Sequence, residues 1–192
     1  MPEVIFQGAD GRLEGRFHPQ GSPDSPIAII LHPHPEYSGT MNNKVVYNLH
    51  YSFFNMGFSC LRFNFRGVGK SEGSFDQGIG ELADATSALD FLQSNVPSAR
   101  ACWVVGFSFG AWIGMQILMR RPEVTGFVAI SPPANTYDFS FLAPCPTSGQ
   151  VIYSENDELV TKESINELDN RIKSQKGVEV IFSKIKNSNH FF

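Results

Sequence analysis

A chain of 192 residues is long enough to bury a sizeable hydrophobic core within one domain. Its apolar content and its 17 phenylalanines exclude disorder, and a formal net charge of −4 without a basic stripe gives no support for nucleic-acid binding. The three cysteines are odd in number and widely spaced, and Cys60 and Cys102 fall in predicted core strands. This usage favours a reducing, cytoplasmic setting, and the start of the chain predicts no signal peptide.

Short apolar runs alternate along the chain with segments whose apolar residues recur at helical spacing. Glycine-rich residues 8–11 join two runs into a predicted edge hairpin, and the run 27–31 is typical of a central strand buried on both faces. Predicted strands cover 4–6, 13–17, 27–31, 59–65, 101–105, 126–130, 150–153 and 178–182, and predicted helices cover 42–55, 79–96, a stretch ending near 119, and 161–175. The alternation predicts a mostly parallel sheet with helices on both faces.

The stretch between Arg100 and Arg120 contains no charged residue and is long enough to span a membrane. Several glycines, Ser108 and Gln116 interrupt it, and no other segment is similarly apolar. We therefore interpret the stretch as a buried strand followed by a helix, and we expect no membrane partner.

Between that strand and that helix lies the pattern G-x-S-x-G, at Gly106, Ser108 and Gly110. Glycine on either side of a serine allows a strand to turn sharply into a helix, which raises the hydroxyl to the edge of the sheet and to the positive end of the helix. The pattern is short, and many occurrences are ordinary turns, so the rest of the chain has to support a nucleophile here.

A serine nucleophile needs a base and a carboxylate that orients the base. His190 is the only histidine after Ser108 in the chain, and Asp157 follows a predicted strand, so both are expected at the same edge of the sheet as the serine. Three other carboxylates compete with Asp157 for the acidic position: Asp138, Glu155 and Glu158. Among these carboxylates, Asp157, with Leu159 and Val160 two and three residues after it, is the preferred candidate.

These features resemble the α/β-hydrolase superfamily, whose triad runs serine, acid, histidine in chain order. The resemblance covers nearly the whole chain. Within the superfamily, the chain looks most similar to the small, lidless, dienelactone-hydrolase-like members. It rests on residues 106–110, on His32-Pro33-His34-Pro35, on residues 65–71 and on Asn189-His190. Dienelactone hydrolases carry cysteine as the nucleophile, whereas this chain has Ser108, which puts that substrate in doubt and implies a serine esterase.

The tetrahedral intermediate of hydrolysis requires two donors for its oxyanion. The resemblance implies the N–H of Phe109 as one donor and an N–H from the loop after Leu31 as the other. Pro33 and Pro35 have no N–H, which leaves His34 as the preferred candidate. The N–H groups at positions 36 and 37 are the alternatives.

Two further patterns have competing interpretations. His32 and His34 have the spacing of a metal pair, but no ligand cluster follows, so we expect no metal and assign His32 to shaping the oxyanion loop. Residues 64–71 end in Gly-Lys-Ser like a phosphate-binding loop, but Asn64 replaces the first required glycine. Arg66 could clamp a substrate, although pairing with a carboxylate is favoured.

The segment between Ile130 and Gln150 is too short for a lid domain. We expect an open pocket partly walled by Tyr137, Phe139, Phe141 and Leu142, with Tyr137 and Phe141 as substrate-binding residues. The superfamily normally continues into a helix after the histidine, whereas this chain stops two residues past His190, so either the chain is truncated or the helix is absent. A missing helix would leave apolar surface exposed, and we would then expect low stability or contacts in a homo-oligomer.

The sequence thus predicts one α/β-hydrolase domain over residues 1–192, acting on a small-molecule acyl substrate through Ser108, Asp157 and His190. We expect a carboxylic ester to be cleaved without a cofactor. Thioesterase, lactonase and peptidase activities remain open, as does a non-catalytic binding module of the same fold.

Overall fold

A computed structural model describes residues 2–173 and 177–192. The strands are β1 Glu3–Gly8, β2 Gly11–His18, β3 Ile27–Leu31, β4 Ser59–Phe63, β5 Cys102–Phe107, β6 Gly126–Ile130, β7 Gly149–Ser154 and β8 Val180–Ile185. The α-helices are α1 Lys44–Asn55, α2 Ile79–Asn95, α3 Phe109–Arg120 and α4 Lys162–Lys173, and two short 3-10 helices cover Pro35–Tyr37 and Ser140–Leu142. The predicted end of the last helix, at Gln175, lies outside the described residues.

All eight strands of the described ranges form one sheet in the order β1-β2-β4-β3-β5-β6-β7-β8. The hairpin β1–β2 pairs antiparallel at one edge, and every pairing from β4 through β8 is parallel. Parallel strands require crossover connections, and the helices supply most of these. The carboxyl ends of β3 and β5 to β8 therefore meet at one edge of the sheet, where ligands bind in such folds.

Helices cover both faces of the sheet, as the sequence predicts. Helices α2, α3 and α4 pack with the larger core cluster, which includes Phe63, Phe127 and Leu168. Helix α1 packs on the opposite face through Val46 and Phe53. Strands β3, β4 and β6 are buried along their whole length. This burial explains the continuously apolar sequences of β3 and β6, whereas β4 also buries Ser59 and Arg62.

Apart from β3 and β6, the strand bounds differ from the prediction by one to three residues, and two of the differences have identifiable reasons. Strand β4 ends at Phe63, two residues early, because the N–H of Phe65 donates to the His32 ring at 3.0 Å instead of continuing the ladder. Strand β8 runs from Val180 to Ile185 rather than over 178–182, because all six of its residues pair with β7. As an edge strand it is only partly buried, so its apolar pattern is a weak guide to its bounds.

The connection between β6 and β7 contains only the 3-10 turn Ser140–Leu142, and this fully described stretch forms no lid. None of the helices in residues 2–173 and 177–192 combines the length and the apolar character that crossing a membrane requires.

Candidate active site

Ser108 occupies a sharp turn between β5 and α3. Its φ of 55° and ψ of −120° lie in a region that non-glycine residues rarely adopt. A Cβ at Gly106 would come within 2.2 Å of the Gly110 carbonyl oxygen, and a Cβ at Gly110 would come within 2.4 Å of the Leu31 carbonyl oxygen. Both glycines are therefore required for the strand, the turn and the helix to approach so closely.

A continuous chain of hydrogen bonds links Ser108, His190 and Asp157. The Nε2 atom of His190 lies 3.1 Å from the Ser108 hydroxyl oxygen, and Nδ1 lies 2.9 Å from both carboxylate oxygens of Asp157. Because the carboxylate only accepts, Nδ1 carries the proton and Nε2 is left to accept from the hydroxyl. The His190 side chain is 2% exposed, so water competes little for these bonds.

The electrostatics keep Asp157 ionised at neutral pH. Burial alone would raise the pKa of this carboxyl, but the hydrogen bond with His190 and those from the N–H groups of Val160 and Leu159 outweigh it, so the pKa lies below its ordinary value. The two backbone donors lie 2.9 and 3.0 Å from Oδ1. An ionised Asp157 can therefore orient the imidazole and stabilise its protonated form.

The three competing carboxylates have other partners. Glu155 pairs with Lys184 at 3.2 Å, and Asp138 accepts from the Ser140 N–H at 2.7 Å. Glu158 accepts from the backbone N–H of His190 at 3.3 Å rather than from its ring. The structure thus brings Asp157, and none of these three, to the imidazole.

Phe109 and His34 both line the cavity at Ser108, and their rings lie 5.0 Å apart. Neither backbone N–H takes part in the loop, turn and cap hydrogen bonds of the described residues. The alternatives at Glu36 and Tyr37 are already engaged, since their N–H groups donate to Nδ1 and to the carbonyl oxygen of His34 at 3.2 and 3.1 Å. Phe109 and His34 therefore remain the candidates for the donor pair.

His32 connects the ends of β3 and β4. Its Nδ1 lies 2.6 Å from the Pro33 carbonyl oxygen and donates to it, while Nε2 accepts from the Phe65 N–H. Complete burial lowers the pKa of His32 to about 4, so the ring is neutral. With both nitrogens engaged, His32 cannot pair with His34 on a metal, and no cluster of three or more potential ligands occurs within residues 2–173 and 177–192.

Arg66 pairs with a carboxylate, as the sequence analysis favours. Its Nε and Nη2 donate to the two carboxylate oxygens of Asp84 at 2.9 and 2.8 Å, and its backbone N–H donates to Oδ2 at 3.1 Å. Both side chains are buried, so the pair fixes the loop after β4 against α2. The Asn64 side chain likewise serves the fold, since it bonds the Met41 N–H and Glu14.

A cavity of about 660 Å³ opens at Ser108. Its walls come from the loop after β3, from the β6–β7 connection and from the segments around Asp157 and His190; they are Pro33, His34, Tyr37, Ser38, Asn43, Ser108, Phe109, Pro133, Thr136, Tyr137, Leu159, His190 and Phe191. Tyr137 lies in this wall, stacked on Trp112 at 4.3 Å.

The structure does not bring Phe141 to the cavity and so corrects that prediction. Phe141 stacks on Phe139 at 6.1 Å, and Phe139 and Leu142 are buried in the core. Leu159 and Phe191 also lie in the cavity wall, although neither was among the predicted wall residues. Only their positions in the chain could have indicated this, since they lie two residues after Asp157 and one after His190.

Comparisons with known proteins identify a family and close relatives. Residues 17–178 match the X-Pro dipeptidyl-peptidase (S15) family. An uncharacterized protein of Rickettsia prowazekii is 51% identical over 196 residues, which cover 100% of this chain and 82% of the relative.

Two solved structures share the fold over the whole chain. A protein of unknown function from Agrobacterium tumefaciens, described as a candidate α/β-hydrolase, is 56% identical with a TM-score of 0.97, and 88% of it is covered. An α/β serine hydrolase without a lid from Xanthomonas campestris is 29% identical with a TM-score of 0.87, and 86% of it is covered. The chain therefore belongs to the X-Pro dipeptidyl-peptidase (S15) family and has the fold of a lidless α/β-hydrolase.

Proposed function

We propose that the protein is a serine hydrolase that cleaves carboxylic esters through an acyl-enzyme on Ser108. The observation that carries the proposal is the hydrogen-bonded chain from the Ser108 hydroxyl through His190 to the ionised Asp157. A buried chain of this kind activates a hydroxyl that is otherwise a weak nucleophile.

The reaction proceeds in two halves. The Ser108 oxygen attacks the ester carbonyl while its proton passes to Nε2 of His190, and the N–H groups of Phe109 and His34 bind the resulting oxyanion. The intermediate collapses, and His190 returns the proton to the departing alkoxide. Water then gives a proton to His190 and attacks the acyl-enzyme, which releases the carboxylic acid and restores the Ser108 hydroxyl.

The composition of the cavity favours esters over the peptide substrates suggested by the family's description. A dipeptidyl-peptidase must hold the positively charged amino terminus of its substrate, which requires a carboxylate or several aligned acceptors. The cavity wall contains no aspartate or glutamate. We therefore expect hydrolysis of p-nitrophenyl butyrate and no measurable release from Ala-Pro-p-nitroanilide.

A fluorophosphonate probe tests the nucleophile directly. We expect one adduct, located on Ser108 by peptide mass spectrometry, which is absent in Ser108→Ala and formed much more slowly in His190→Ala. A folded protein that neither reacts with the probe nor hydrolyses any ester would contradict the proposal and favour a non-catalytic binding module. Thioesters and lactones of matched acyl groups, assayed beside the esters, then rank the remaining hydrolase activities.

A further inference from the structure

The cavity wall is uncharged apart from what the histidines can carry. None of its thirteen residues is an aspartate, glutamate, lysine or arginine, and aromatic rings, prolines and Leu159 form most of its surface. A charged group on the substrate would lose its water here without gaining an ionic partner, which is costly. An uncharged chain, in contrast, gains from leaving water.

Three wall residues also hold large apolar surfaces in water. Tyr37 is 82% exposed, Leu159 is 55% exposed and Phe191 is 47% exposed, and they contribute to the same cavity. A single exposed apolar side chain is ordinary, but three at one opening mark a surface that a ligand covers. The apolar part of the ligand must therefore be long enough to extend from Ser108 to this opening.

The size of the cavity limits that length. A methylene group is about as large as a water molecule, about 30 Å³, so the 660 Å³ of this open cavity sets an upper limit of roughly twenty non-hydrogen atoms. An acyl chain of about eight carbons together with an aryl leaving group matches this space.

We propose that the substrates carry an uncharged acyl chain of about eight carbons, which lies along the Leu159 wall of the cavity. The inference rests on the proposed function, because it assigns the acyl group of the same reaction. Complete burial of one methylene would raise kcat/KM roughly fourfold. Because the cavity is open, each methylene is only partly buried, and we expect about a twofold rise in kcat/KM for each one added.

A series of p-nitrophenyl esters from acetate to octanoate measures this dependence below the critical micelle concentration. We expect kcat/KM to rise roughly fifty-fold over the six added methylenes, mainly through KM. A matched pair tests charge: p-nitrophenyl hexanoate should be cleaved at least about tenfold faster than the hydrogen adipate ester, which places a carboxylate at the end of a chain of equal length.

Matched variants locate the chain. Leu159→Asn should flatten the length dependence, whereas Ile181→Asn, the same class of change at a 53% exposed residue outside the cavity wall, should leave it as in the wild type. Three results would each overturn the inference. They are a highest kcat/KM for the acetate ester, equal cleavage of the adipate and hexanoate esters, and a dependence of kcat/KM on chain length that Leu159→Asn leaves unchanged. Failure of every ester together with failure of fluorophosphonate labelling would instead overturn the proposed function.

Discussion

Replacing Asp157 by asparagine removes one charge and almost no volume, and the structure predicts which way the new amide will face. Oδ1 accepts from the N–H groups of Leu159 and Val160 at 3.0 and 2.9 Å. The amide oxygen must keep this position, since an NH₂ group there would oppose two donors. The amide nitrogen therefore takes the place of Oδ2, 2.9 Å from Nδ1 of His190.

This orientation reverses the proton arrangement of the imidazole. The amide oxygen also stays 2.9 Å from Nδ1, but it already accepts from two N–H groups and has lost the carboxylate charge, whereas the amide nitrogen can only donate. We therefore expect Nδ1 of His190 to become the acceptor and the ring proton to move to Nε2. Nε2, which lies 3.1 Å from the Ser108 oxygen, can then no longer accept the hydroxyl proton. The same replacement in a serine-protease triad lowers kcat about 10⁴-fold, which corresponds to about 5 kcal/mol of transition-state stabilisation.

The assay compares kcat/KM for p-nitrophenyl butyrate in the wild type, Asp157→Asn and Glu155→Gln. The control loses a carboxylate in the same loop, one that pairs with Lys184 rather than with the imidazole, and should keep wild-type activity. Circular dichroism should show both variants folded. An Asp157→Asn enzyme that retains more than about a tenth of the wild-type rate would refute the reasoning, as would an equal loss in Glu155→Gln.

Three further predictions concern stability. Asp84→Asn should cost about 3 kcal/mol of unfolding free energy in urea, because the buried Arg66 guanidinium loses its bidentate carboxylate and keeps only the exposed Asp10, 3.7 Å away, as an ionic partner. The double variant Arg66→Met, Asp84→Leu should recover most of the loss, and a double variant no more stable than Asp84→Asn would contradict this account. Gly110→Ala should lower the melting temperature and cost at least about 2 kcal/mol, because its Cβ would lie 2.4 Å from the Leu31 carbonyl oxygen. Burial lowers the pKa of His50 to about 3, so the native state stays neutral while the unfolded chain takes up a proton below about pH 6.5, and stability falls as the pH is lowered. His50→Leu should therefore lose less stability than the wild type between pH 7 and pH 4, and equal losses would show that His50 does not contribute.

The fold was largely predictable because its signals are local. Buried parallel strands need continuous apolar runs, and Ile27–Leu31 and Gly126–Ile130 have them. The topology then places the ends of these strands together, which is why widely separated Ser108, Asp157 and His190 could be assigned to one site. Their distances of 2.9 and 3.1 Å depend on loop geometry and could not be read from the residues.

Other features depend on contacts that leave little trace in a periodic pattern. The buried face of α2 carries Glu81 and Asp84 among alanines, so a search for leucines at helical spacing describes it incompletely. The partner of Arg66 is one of these carboxylates, eighteen residues away. Phe141 was assigned to the pocket because it is aromatic and follows β6, but the 3-10 turn Ser140–Leu142 places it against Phe139. The composition of residues 131–148 predicts a loop, but the path of that loop, and hence which side chains reach the cavity, depends on packing.

The backbone conformation of Ser108 is strained, with φ at 55°, and glycine would adopt it at lower cost. Ser108→Gly should therefore raise the free energy of unfolding while it abolishes the proposed ester hydrolysis. The free energy of unfolding of Ser108→Gly, measured beside that of the wild type, gives the cost of holding a serine in this turn. If the hydroxyl is the proposed nucleophile, that cost is what the reaction requires of the fold.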